Sequence, residues 1–288
     1  MSDPRVRAAL RAREGLRRGS ERAGLRVTRG LGEPALFAVT LSAVVASMFF
    51  ALGVVAGDAL GLSPLVYLIA GIFFAVTMAT YVEGTSLHIE RGGASTLARY
   101  AFDELWSFVA GWAILLDYLI VMATGAIVIS DYLSVFASGI DDGLFEVLIA
   151  GVALLIVAAV NIRGVTARRL RAVLRVSLTS IVVLVAVSVI AFAQFFDAGA
   201  ITDSVELGSA PEWENAIFAL GVACVALIGV EAASGLAGEV RVGRRGLRRV
   251  VIVSSTAAIL LFVVVSTAAL MAQPVQAGAT PLGGRFIE

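Results

Sequence analysis

Two carboxylates stand inside long apolar runs of this sequence, and each is of a kind that does chemistry in a membrane. Asp117 lies about twelve residues, or ~18 Å of helix, beyond the start of its run. An aspartate at that depth is costly, so it must be paired, protonated or turned to a cavity. A structural hydrogen bond to a neighbouring helix and a part in coupling are both open. Glu231 follows Val225-Ala-Leu-Ile-Gly-Val, with Gly229, Ser234 and Gly235 around it. A helix broken near Gly229 would free carbonyls and amides to hold a zwitterion, while Glu231 titrated or changed partner as a gate moved. The plainer reading is a glycine packing notch with a glutamate close enough to the surface to reach water. A third cluster, Thr40, Ser42, Ala43, Ala46 and Ser47, offers small and hydroxyl side chains past which a ligand or another helix can approach the backbone. Glu83 ends a further apolar run, His88 follows as a surface side chain rather than a proton shuttle, and Gly92-Gly93 fits a tight turn.

The composition excludes most other chemistry. Of 288 residues 59% are hydrophobic and 15% charged, and the mean hydropathy is +0.94. A soluble fold cannot hide that surplus, so the chain belongs in a membrane. All 22 basic residues are Arg, which rules out a retinal Schiff base or a P-loop lysine. One Cys, Cys224, permits neither an internal disulfide nor a cysteine metal cluster. With one His besides, no enzyme, resident metal or cofactor is expected, and the balanced net charge gives no sign of a nucleic-acid partner.

Those residues are positioned by seven apolar segments, at about 35–56, 64–86, 105–135, 147–162, 176–196, 215–236 and 250–272. They lack strand alternation and are too long for a membrane barrel, so the fold class is all-α integral membrane. Arginine sets the orientation: 21 of the 22 fall before segment one or in the loops after segments two, four and six, while acids occupy the other loops. That pattern places the N-terminus in the cytoplasm. Residues 1–32 then form a basic cytoplasmic tail, solvated or lying as a basic helix on anionic headgroups, and not a signal peptide. Residues 33–272 form the membrane domain, and 273–288 an extracytoplasmic tail that reads as an interrupted continuation. The expected location is the inner membrane of a prokaryote.

Taken in order, these residues resemble the amino acid–polyamine–organocation superfamily of permeases. Tyr81, Glu83, Gly92 and Gly93 keep the spacing of its motif after helix two. Gly111-Trp112, with Leu116-Asp117-Tyr118, matches the opening of its third helix, and Gly229, Glu231, Glu239 and Arg241 match its sixth helix and the basic loop beyond. The resemblance covers about residues 33 to 272 and implies a leucine-transporter-type fold of two inverted five-helix repeats, with substrate between broken helices one and six. The family's amino-acid carboxylate then meets backbone amides near Ala46 and Ser47, beside Ser42, and its ammonium meets carbonyls near Val225 and Ile228, by Gly229. Glu231, Asp117 and Glu83 would serve gating or coupling, with Gly92, Gly93 and Glu239 in the cytoplasmic loops. The sequence departs from the pattern at Val45 and Ala46, where the family has glycines, at Val225, where it often has an aromatic, and at Gly243 and Arg248, where it has prolines. Seven segments are also fewer than the family's ten to twelve, so the fold is expected to be incomplete: the front part of a longer permease, or a truncated product.

The function that follows is secondary active transport of amino acids or related small amines by alternating access, coupled to a proton or Na+ or running as exchange. Neutral substrates are the default, because no suspected pocket position offers a selective charge, and the oligomeric state is left open. A non-transporting scaffold or assembly subunit, or a permease remnant, is the alternative. A seven-helix receptor would place its N-terminus outside, and an intramembrane protease would need a Ser–His pair or paired aspartates that this sequence lacks.

Overall fold

The computed structural model describes residues 33–87, 92–136, 143–162, 167–196, 211–227, 229, 244–275, 280 and 282. Among them there is no strand. The helices are α1 (Glu33–Ala59), α2 (Ser63–Leu87), α3 (Ala94–Ala101), α4 (Glu104–Ser134), α5 (Gly143–Ile162), α6 (Ala167–Phe195), α7 (Trp213–Ala226) and α8 (Arg244–Ala272). Five stretches are long and apolar enough to cross a membrane; the first, Thr40–Gly84, takes in both α1 and α2. α7 is apolar but shorter.

Local chemistry explains the helix ends. A single 3-10 turn, Leu60–Leu62, separates α1 from α2. Ser63 closes it by donating to Leu60 O at 2.6 Å, with Val55 O at 3.2 Å. Pro64 then stands in the first turn of α2, where a missing N–H costs nothing. Asp103 caps α4 by accepting from Trp106 N at 3.1 Å. α6 and α8 begin earlier than their apolar runs, because their first turns carry arginine. Arg169, Arg171 and Arg175 lie on helix, as do Arg245, Arg248 and Arg249. A helix does not stop at the edge of the hydrocarbon, so apolarity alone places these starts too late. α7 ends at Ala226, inside the apolar run 215–236 and three residues before Gly229.

The core is built by α1, α2, α7 and α8, which meet through Val44, Val55, Tyr67, Ala219, Leu227 and Phe262. Small residues bring the backbones close, as lipid-embedded helices require: Ala219, Ala223 and Ala226 on α7 are fully buried, and Gly71 of α2 faces Ile259 of α8. The Tyr67 and Phe262 rings lie 4.8 Å apart between α2 and α8. α6 packs on α1 and α8, while α4 and α5 pack on each other. The outer faces of α4 and α5 are apolar and exposed, with Leu155 at 71% and Phe108 at 68%, which suits contact with lipid tails.

Candidate functional site

α7 supplies the feature on which the site turns. Its 14 residues rise only ~21 Å, short of the ~30 Å hydrocarbon layer. Its last residue lies against the middle of α1, where the buried Ser47 hydroxyl donates to Ala226 O and to Val44 O, the latter at 2.8 Å. The chain turns through Leu227, and Gly229 takes φ 125°. A Cβ on Gly229 would stand 2.6 Å from Ala43 Cβ, so only glycine lets the turn seat on α1. The last carbonyls of a helix have no partner within it and carry the negative end of its dipole. α7 therefore points such carbonyls into the bundle interior. Nearby, Thr40 Oγ1 and Ser254 Oγ share a buried hydrogen bond of 3.1 Å that ties α1 to α8.

α1 differs from what the resemblance implies. It is helical without interruption from Glu33 to Ala59, so the break at Val45–Ala46 is absent. The physical reason is in the sequence: no glycine or proline stands between Ala35 and Leu52, and Val-Ala-Ser continues a helix readily. Ala46 faces outward, Ser42 is half-buried, and Val225, in the last turn of α7, is 40% exposed. Ser47, Ala226 and Gly229 are brought together. Ile228, Glu231 and Glu239 lie outside the described residues, as do His88, Ser234 and Gly235.

Asp117 lines a cavity of about 340 Å³ between α2, α4 and α7. Thr77 and Tyr81 face it from α2, Tyr118 from α4 and Cys224 from α7. Cys224 stands two residues before Ala226, so Asp117 opens onto the flank of the shortened helix. Neither Thr77 nor Cys224 carried a sequence signal, because their roles arise only when three helices meet. Glu83 lies apart, on a groove rim with Arg245 and Arg248. Gly92 and Gly93, at φ 128° and 54°, make the turn that opens α3. Ser95 N donates to Gly92 O at 3.2 Å there. α3 is then pinned to α4 by Ser107 Oγ, which donates to Ser95 O at 2.8 Å. Among the described residues no cluster of His, Cys, Asp and Glu could hold a metal ion.

A search of curated proteins finds no match to the chain. A family model described as amino acid permease matches residues 31–282, nearly the whole length, including α1 through α8. The chain therefore belongs to the amino acid permease family, as a multi-pass, all-α membrane transporter.

Proposed function

We propose that this protein carries amino acids across the inner membrane of a prokaryote by alternating access, with its N-terminus in the cytoplasm. The observation that carries the proposal is the early end of α7 at Ala226, beside Ser47 and Gly229. The carbonyls at that end suit an ammonium group, with Val225 and Ile228 as the neighbouring positions. The Ser47 hydroxyl now bonds Ala226 O, and the substrate ammonium would take that carbonyl in its place. The carboxylate would be received on the α1 side, near Ser42, Ala46 and Ser47, in a state where the helix opens. Gly92, Gly93 and Glu239 would belong to the cytoplasmic loops. The arginine distribution supports the orientation.

Coupling to a proton or to Na+, or exchange without either, would act through Asp117, Glu231 or Glu83. Asp117 lines a cavity that reaches α7, whereas Glu83 lies apart from it. A second reading, a non-transporting scaffold, is favoured by the unbroken α1. Labelling the sole cysteine separates the two readings. A neutral amino acid is expected to slow modification of Cys224 by a small maleimide, while its α-hydroxy-acid analogue, which lacks the ammonium, has little effect. Equal rates with and without amino acid would favour the scaffold.

A further inference from the structure

We infer that the groove between α2 and α8, at the end bearing Glu83 and Arg248, binds a diacyl anionic phospholipid with its phosphate on Arg245 and Arg248. The groove has a volume of about 600 Å³ and apolar walls that include Met78 and Val82 of α2 and Val251 and Ile259 of α8. From Arg245 to Ile259 it runs 14 residues, ~21 Å along the helix. That exceeds half the hydrocarbon layer, ~15 Å, and so accommodates an acyl chain. A second, adjoining hollow of about 350 Å³ on α8 shares Arg245, Arg248 and Ile252 and adds Arg249 and Val253. One headgroup on the shared arginines can therefore lay one chain in each of the two adjoining hollows.

Charge selects the headgroup. Arg245 and Arg248 share the groove with one carboxylate, Glu83, and Arg249 stands in the adjoining hollow, so three arginines meet one described carboxylate. None of the three makes an ion pair or side-chain hydrogen bond with another described residue. Guanidinium forks match phosphate oxygens, and a net negative headgroup gains what a zwitterionic one loses to its own ammonium. Deeper in the same groove, ~10 Å along α8 from Arg248, the buried Ser255 hydroxyl has no hydrogen-bond partner. Buried hydroxyls are normally satisfied, and a lipid ester sunk below the rim would give this one an acceptor. The inference rests on the proposed orientation only for the choice of the cytoplasmic leaflet, and it does not require transport.

Native mass spectrometry of the full chain, titrated with phosphatidylglycerol or with phosphatidylcholine of the same chains, tests it. Phosphatidylglycerol is expected to be retained more tightly. The double variant Arg245→Gln, Arg248→Gln should weaken its binding about 25-fold, at about fivefold per arginine. Ala79→Trp fills the groove from an exposed position and should displace the lipid as well. Arg175→Gln on α6, outside the groove, should leave binding unchanged. Equal retention of the two lipids, an Arg175→Gln loss as large as the double variant's, or displacement by equimolar inorganic phosphate would each overturn the proposal. If Ala79→Trp does not fold, the arginine variants decide alone.

Discussion

Gly229 meets Ala43 across the α1–α7 seam, and its φ of 125° is one that L side chains rarely adopt. Gly229→Ala therefore adds both backbone strain and a clash. It should cost about 1–3 kcal/mol of stability, read as a lower thermal midpoint of the purified protein. Ala43→Gly in the same chain should recover the clash but not the strain; a double variant no better than the single one would show that the seam is not this tight. Ser47→Ala removes the hydroxyl from Ala226 O, and its effect should fall on substrate binding more than on folding. A several-fold change in apparent affinity with an intact thermal midpoint is the expected result. Asp117→Asn keeps the shape of the α2–α4–α7 cavity and removes its charge. If Asp117 carries the coupling proton, uptake by the variant loses its dependence on pH between about 5 and 8; an unaltered profile returns Asp117 to a structural role.

At the scale of elements, the α2–α8 seam depends on Gly71. A Cβ there would stand 2.8 Å from Ile259 Cγ1, so Gly71→Ala should destabilise the bundle by about 1–3 kcal/mol, with Ile259→Ala restoring part of the loss. Full stability of Gly71→Ala alone would mean that Ile259 swings aside without cost. The long helices were legible in the sequence because twenty apolar residues leave the backbone no other way to satisfy itself in lipid. α3 was not, since eight residues of near-balanced polarity, Ala94–Ala101, make no hydropathy signal. The starts of α6 and α8 were hidden by their arginines. The end of α7 was half legible: Gly229 marked the place, but nothing in an unbroken apolar run says on which residue a helix stops. The uninterrupted α1 was foreshadowed by Val45 and Ala46, whereas the pairing of Ser47 with Ala226 O needed the tertiary structure. The same holds for the cavity joining Asp117 to Cys224, whose residues are far apart in sequence and silent singly.

The whole molecule divides into an inner set of helices that share a core and an outer set that faces lipid. α1, α2, α7 and α8 hold the main buried cluster, and the elements proposed to meet substrate lie within that set. α4 joins it through the cavity at Asp117, and α6 and α8 both begin on arginine-rich turns, which the proposed orientation would place at the cytoplasmic face. In the proposed alternating access, α7 and its turn would change position while the outer helices stayed packed. Uptake of labelled neutral amino acids into proteoliposomes holding the full chain is the most direct test. Saturable accumulation above empty liposomes, abolished when Gly229→Trp wedges α7 away from α1, is the predicted result. No uptake above empty liposomes by folded protein, under an imposed proton or sodium gradient or with amino acid preloaded inside, would contradict the account.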